Sequence, residues 1–179
     1  MCRARANPYR VLAPLLLALP LAACGSSSSG TPHNTSTHTL KGRVLTEVIA
    51  GGFVPTDGAF LDELPVVTVY AEGRIFSVNQ SSSNAQPALV RLSVRTVPAA
   101  TLEQIVNLAQ AAGVTKHPPG FGRPGVTDMP TTTFTLSADS STSSVDVYAD
   151  GSTGGLTPAQ EAARKRLDSF ANQLQRLAT

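Results

Sequence analysis

The order in which strand-like and helix-like segments follow one another constrains the fold of this chain most strongly. From residue 40 onward there are about four strand-like segments, an amphipathic helix, two more strand-like segments and a second helix. Strands that return after short turns pair antiparallel, whereas parallel strands need long crossover connections. The order therefore predicts an α+β two-layer sandwich, in which two helices pack on one face of an antiparallel sheet of about six strands.

Two hairpins are predicted from turn residues that separate runs of β-branched residues. Residues 66–70 and 74–78 flank Gly73, which can adopt the positive φ that a tight turn requires. Residues 132–136 and 145–148 form the second pair. Both pairs belong to the predicted antiparallel sheet.

The strand before the first helix alternates apolar and charged residues. Val90, Leu92 and Val94 alternate with Arg91 and Arg95. A period of two is typical of a strand with one buried face and one solvated face. We therefore expect the three apolar side chains to be buried and the two arginines to face water.

Both helices are predicted from apolar stripes with helical spacing. The first is expected to be capped by Thr101, with a glutamine three residues later, and to end before Gly113. The second follows Thr157, which also has a glutamine three residues later and a proline at the first helical position. The basic run 164–166 lies on the expected solvated side of the second helix. The stripe residues are Leu102, Ile105, Val106 and Ala109 in the first helix and Ala163, Leu167, Phe170, Leu174 and Leu177 in the second.

A short apolar run near the N-terminus ends in Leu21-Ala22-Ala23-Cys24. The run, residues 11–19, is far shorter than the roughly 20 apolar residues that a membrane-spanning helix needs. Arg3, Arg5 and Arg10 give the segment before it a positive charge. The box closely resembles the signal of bacterial lipoproteins. This resemblance implies cleavage before Cys24 and a thioether-linked diacylglycerol, with acyl chains such as palmitate, that anchors the protein to the extracytoplasmic face of the cytoplasmic membrane.

Cysteine usage and charge agree with export and anchoring. Cys2 lies in the segment to be removed, so Cys24 is alone in the mature chain. Exported proteins normally pair their cysteines in disulfides, and a modified thiol explains an unpaired one. Removal of the three N-terminal arginines changes the balance from 14 basic and 12 acidic residues to 11 against 12. A near-neutral chain lacks the basic patch that nucleic-acid binding needs, so we expect no nucleic-acid partner.

The sequence therefore divides into three parts. Residues 1–23 are predicted to be the signal peptide, residues 24–39 the lipidated cysteine with a disordered Ser/Thr-rich tether, and residues 40–179 a single α+β domain. His33 and His38 fall in the predicted tether, where we expect solvated imidazoles rather than metal ligands.

The domain contains no recognisable catalytic or metal-binding motif. There is no Gly-x-Ser-x-Gly elbow, no pair of histidines on a helix and no calcium-binding loop. We therefore expect no metal, no cofactor and no enzymatic activity. One alternative is an envelope hydrolase that uses His117 and Asp128 in the Pro/Gly-rich loop 117–130. Another is a small carrier that holds an acyl chain between the sheet and the helices.

The turns and strand ends of the domain resemble those of a group of uncharacterised actinobacterial exported proteins. The resemblance rests on residues 51–55, 64–65, 69–74 and 130–132, and it spans much of residues 43–177. It implies no activity and adds no catalytic residue. The expected function is a lipid-anchored binding or structural module of the cell envelope, with an envelope protein or a small ligand as its partner. The candidate partner-binding residues are Arg91, Arg95, His117, Phe121 and Arg123.

Overall fold

The structure, a computed structural model, describes residues 37–52, 64–79 and 91–179. Leu21, Ala22, Ala23, Cys24 and Val90 lie outside the described residues, so the predictions about them stay predictions. The described residues form six strands and two helices. In chain order these are β1 (Arg43–Ala50), β2 (Val67–Tyr70), β3 (Arg74–Asn79), β4 (Arg91–Thr96), α1 (Ala99–Ala112), β5 (Thr131–Ala138), β6 (Ser141–Tyr148) and α2 (Pro158–Ala178).

All six strands belong to one antiparallel sheet with the spatial order β4-β3-β2-β1-β5-β6. β1 lies in the middle, where it pairs with β2 on one side and with β5 on the other. The chain passes through α1 between β4, at one edge, and β5. The predicted α+β two-layer sandwich with two helices and about six strands is confirmed.

Alternation of side chains divides the sheet into a face that the helices cover, here called the helix face, and an opposite face on which neither described helix packs, here called the open face. Glu47 and Ser77 lie on the helix face. The amide nitrogen of Gln175 donates to Glu47 Oε2 at 3.4 Å, and Ser77 Oγ donates to the carbonyl oxygen of Ala178 at 3.2 Å. The core lies between this face and the helices. Its most buried large side chains include Leu45, Val67, Val69, Ile75, Ile105, Val106, Phe134, Val147, Leu167 and Leu174.

Both predicted hairpins are present. Gly73 has a φ of 88° in the β2–β3 turn, and a Cβ atom placed there would lie 2.5 Å from the carbonyl oxygen of Val97. The β5–β6 turn has two central residues, Asp139 and Ser140, with φ values of 53° and 59°. Two consecutive positive φ values are the geometry that matches the right-handed twist of paired strands.

The structure agrees with the sequence at two of the three helix ends that were predicted. Thr157 Oγ1 accepts from the backbone of Gln160, and the Gln160 side chain accepts from the Thr157 backbone at 2.8 Å, which confirms the second capping box. Gly113 ends α1 with a φ of 105°, and α2 begins at Pro158, both as predicted. The capping role predicted for Thr101 is wrong. α1 begins three residues earlier, after Pro98, whose fixed φ already suits the start of a helix.

Candidate interaction site at the sheet edge

The open face changes from apolar to polar across the sheet. Leu92 and Val94 on β4 are 60% and 54% exposed, whereas Thr46 and Thr68 at the centre of the face are each 8% exposed. Accessible apolar surface on this face is therefore concentrated at the β4 edge. One cross-strand row runs from this edge to the other through Val94, Phe76, Thr68, Thr46, Thr135 and Ser144.

The prediction for β4 is only partly right, because Arg91 and Arg95 are exposed as expected but Leu92 and Val94 are exposed as well. Arg95 lies opposite Ile75, which is buried on the helix face, so Arg91 and Arg95 belong to that face and the apolar residues Leu92 and Val94 to the open one. The alternation does place the two sets of residues on opposite faces. It does not say which face the helices cover, and for an edge strand neither face is fully covered.

Aromatic side chains continue the apolar surface inward from β4. The rings of Tyr70 and Phe76 meet edge to face with their centroids 5.5 Å apart. The Arg74 guanidinium lies 5.9 Å from the first centroid and 5.6 Å from the second, within the range of a cation–π contact. Arg74 also donates to Glu72 at 3.1 Å, and this hydrogen bond lowers the pKa of the exposed Glu72 carboxyl. Arg74 is therefore already engaged, unlike the arginines of β4.

The half of the open face that β5 and β6 form is polar. Its hydroxyl and carboxylate groups pair with each other across the two strands, so their hydrogen-bonding capacity is partly used within the sheet. The pairs are Thr133 with Asp146 at 2.7 Å, Thr135 with Ser144 at 3.2 Å, and Ser137 with Thr142 at 3.0 Å.

The backbone of β4 has one side turned away from the sheet. The N–H of Val97 donates to the carbonyl oxygen of Gly73, which fixes the side on which this residue faces β3. Because N–H and C=O groups alternate in an antiparallel pair, Arg95 and Ser93 also face β3. Leu92, Val94 and Thr96 then direct their backbone groups to the edge, where no strand among the described residues pairs with them.

Arg91 and Arg95 lie at the same edge. Both side chains are exposed, and neither forms an ion pair with an acidic group in the described ranges. Their Cα atoms are four residues apart along one strand, which corresponds to roughly 13 Å. The edge strand thus combines an apolar open face, two cations on the helix face and, between them, backbone groups that no described strand pairs.

The other candidate residues lie away from this edge. His117 and Arg123 are exposed in the irregular segment between α1 and β5. The Arg123 guanidinium stacks 3.9 Å from the ring centroid of Tyr148, at the end of β6, so this loop is near the opposite edge of the sheet. Phe121 is 7% exposed and packs in the core, so its side chain is not accessible to a partner. Within the described residues, no hydrogen bond joins His117 to Asp128.

Arg164 is a structural residue, and the prediction that its side chain is solvated is wrong. It is 2% exposed rather than solvated, although its neighbours Lys165 and Arg166 are exposed as predicted. Its guanidinium donates to four backbone carbonyls, and so ties α2 to the loop and to the end of β6. The acceptors are Phe121 at 2.7 Å, Gly122 at 3.1 Å, Tyr148 at 3.0 Å and Ala149 at 3.2 Å.

Two carboxyl groups near α2 have raised pKa values. Glu47 is 4% exposed on the helix face, and burial raises its pKa to about 7, although the hydrogen bond from Gln175 acts in the opposite direction. Asp168 on α2 has a pKa raised to about 6, first by burial and then by the neighbouring charge of Asp150. These groups favour the protonated form in the folded state, so they make stability depend on pH.

His38 forms a second cluster that the sequence reasoning missed. Its Nδ1 lies 2.7 Å from Asp139 Oδ2, and its Nε2 lies 3.1 Å from Asn107 Oδ1. Its backbone N–H donates to Glu103 at 3.3 Å, and the next backbone N–H, that of Thr39, donates to Asp139 at 2.8 Å. The hydrogen bonds to Asp139 and then to Asn107 raise the pKa of His38. Residues 38 and 39, which the sequence places in the tether, therefore contact the domain.

A groove of about 330 Å³ between α1 and α2 is lined by Leu108 and Phe170 among others, with Lys165 and Arg166 at its rim. In the part of the chain that the structure describes, no three His, Cys, Asp or Glu side chains are grouped as metal ligands. In the same part, neither helix combines the length and hydrophobicity needed to cross a bilayer.

Comparisons with known proteins assign neither a family nor a function to this chain. No protein-family model matches the sequence, and no curated protein is significantly similar to it.

Proposed function

We propose that this chain is a lipid-anchored protein of the cell envelope, and that its folded domain is a non-enzymatic binding module. The anchoring part of the proposal rests on the sequence: a Leu-Ala-Ala-Cys box follows a short apolar run, and Cys24 is the only cysteine after the predicted cleavage site. The lipid on Cys24 would hold the domain at the extracytoplasmic face of the cytoplasmic membrane.

The observation that carries the binding part is the exposed apolar surface at the β4 edge. Leu92 and Val94 are exposed beside Phe76 on a sheet face where no described helix packs. Edge strands are usually protected against pairing, and contiguous apolar surface on a soluble domain often marks an interaction site. Arg91 and Arg95 add charge to the same edge, so a partner here can be selected by both shape and charge.

The anchor is tested by the intact mass of the protein purified from an actinobacterial host and denatured. We expect the mass of the chain from Cys24 onward plus a diacylglycerol, and we expect Cys24→Ala to release the protein from the membrane fraction. An unmodified mass, or a Cys24→Ala protein that stays in the membrane fraction, contradicts the anchoring part.

The binding surface is tested by photo-crosslinking in cells. A photoreactive amino acid replaces Val94 in one variant and Ser144 in the other, so the probes occupy the two ends of the same cross-strand row. We expect a discrete adduct from position 94 that is absent at position 144. If neither position gives an adduct, or if both give the same adducts, the β4 edge is not the binding surface.

A further inference from the structure

The geometry points to an acidic, extended polypeptide segment as the partner, added to the sheet as a strand beside β4. This inference rests on the proposed function and names the chemistry of the partner at the same edge. It follows from three properties of β4: the direction of its backbone groups, the division of its side chains between the two faces, and its positive charge.

The backbone of β4 presents hydrogen-bonding groups at the edge of the sheet. Leu92, Val94 and Thr96 turn their N–H and C=O groups outward, and no described strand pairs with them. A peptide in extended conformation satisfies such groups with main-chain hydrogen bonds, whereas a helix or a compact ligand does not. The edge is therefore suited to an added strand.

The side chains then define which strand fits. In an antiparallel addition, partner residues opposite Leu92 and Val94 lie on the open face and extend its apolar surface. Partner residues opposite Arg91 and Arg95 lie on the helix face, four residues apart. Oppositely charged cross-strand pairs are favourable, so these two partner positions are acidic.

A second copy of this chain fits less well. If two β4 strands pair antiparallel about Ser93, Arg91 of one copy lies directly opposite Arg95 of the other. Like charges opposite each other in a sheet are unfavourable. The charge of the edge therefore disfavours self-pairing in this register and favours an acidic strand.

The probe is a synthetic peptide of about nine residues with two glutamates four residues apart, a threonine midway between them and valines at the alternating positions, matching the spacing of β4. Its binding to the full lipidated protein in detergent micelles is measured by fluorescence anisotropy at low salt. We expect saturable binding that a peptide with lysines in place of the glutamates does not show.

Two N-methylated peptides test whether the peptide is added as a strand. Methylation at the two valines opposite Leu92 and Val94 removes N–H groups that point to β4, and we expect at least about tenfold weaker binding. Methylation at the two glutamates removes N–H groups that point away, and we expect little change. Equal effects of the two peptides would show charge attraction without strand pairing and would overturn the inference.

Variants of β4 test the charge pairs. Arg91→Ala with Arg95→Ala is expected to weaken binding roughly two- to thirtyfold, because each of the two exposed cross-strand pairs contributes about 0.2–1 kcal/mol, while the melting temperature stays unchanged. A collapse of the melting temperature would show instead that the two arginines are structural. Arg91→Glu with Arg95→Glu is expected to reverse the preference, so that the lysine peptide binds better. Retained preference for the glutamate peptide in the charge-reversed protein would also overturn the inference.

Failure of this inference can be told apart from failure of the proposed function. Adducts at position 94 without binding of the glutamate peptide mean that the edge is used by a different partner, and the acidic-strand inference falls alone. An adduct with the mass of two copies of this chain overturns it in favour of self-association. Absence of both adducts and peptide binding overturns the inference together with the proposed function.

Discussion

Replacement of Arg164 by methionine should destabilise the domain far more than the same replacement of the neighbouring Lys165 on α2. Methionine keeps much of the apolar volume of the side chain but removes every donor from four carbonyl groups at Phe121, Gly122, Tyr148 and Ala149. Hydrogen bonds to charged groups contribute about 1.5–3 kcal/mol each, and their sum is reduced because relaxation and water satisfy part of the loss. We expect a loss of about 3–5 kcal/mol in the free energy of unfolding.

Urea denaturation followed by circular dichroism measures this loss. For a domain of this size, each 1 kcal/mol corresponds to about 2–4 °C in melting temperature, so the expected decrease is about 6–20 °C. Lys165→Met is the matched control, because Lys165 is the next residue on the same helix and is exposed. This control should change the free energy of unfolding by less than about 0.5 kcal/mol.

Loss of the Arg164 hydrogen bonds should make two particular segments of the Arg164→Met protein mobile. Two of the four acceptors lie in the loop and two at the end of β6, so amide hydrogen exchange should accelerate in both segments while the β2–β3 hairpin stays protected. A decrease of less than about 1 kcal/mol, or a loss of protection spread evenly over the sheet, would refute the tie between α2 and the loop.

Three further predictions follow from titratable groups and from a helix cap. The folded-state pKa of Glu47 is raised from 4.5 to about 7, so its contribution to stability is fully present below pH 4.5 and is lost as pH rises through about 7. Glu47→Gln should remove about 3 kcal/mol of the resulting decline in the free energy of unfolding. Equal urea midpoints for the two proteins at both pH 5 and pH 8 would contradict this prediction. The raised pKa of His38 gives the same sign, with stability present below pH 6.5 and lost as pH rises through the folded-state pKa. Asp139→Asn should lower that pKa in an NMR titration of the ring protons, and an unchanged titration curve would show that Asp139 does not hold the imidazolium. Thr157→Ala should cost about 1 kcal/mol by removing the cap of α2, whereas Thr153→Ala, in the exposed turn before the helix, should cost much less in the same melting experiment.

The sequence predicted the features that depend on local spacing. The apolar stripe of α2, its cap at Thr157, the glycine of the β2–β3 turn and the glycine that ends α1 each depend on residues within a few positions of one another, and the structure confirms them. The two helices and the antiparallel hairpins then restrict the possible layers, so the α+β sandwich could be predicted from their order.

The features that were missed depend on contacts between distant parts of the chain. His38 contacts residues that lie 65, 69 and 101 positions away, and no local sequence pattern around it predicts those contacts. Arg164 sits in a run of three basic residues, and only the position of the loop decides which of the three is buried. In β4 the alternation was read correctly, but the covered face depends on where α2 ends over the sheet.

The chemistry of the candidate site also lies partly outside local sequence. Arg91 and Arg95 could be named from the alternation, whereas the edge position of β4 follows from the order of strands in the sheet. The loop candidates Phe121 and Arg123 have structural contacts, with the core and with Tyr148. Among the candidate residues that the structure describes, those of β4 combine exposure and charge with backbone groups that no described strand pairs.

The most direct test of the central claim, that β4 is an open edge to which a strand can be added, is residue-resolved amide hydrogen exchange of the protein with and without the glutamate peptide. In the free protein, the amides of Leu92, Val94 and Thr96 should exchange fast and those of Ser93 and Arg95 slowly, since only the latter two face β3. The peptide should slow the first three. Equal protection of all five amides in the free protein would show that the edge is already paired, and would contradict the account.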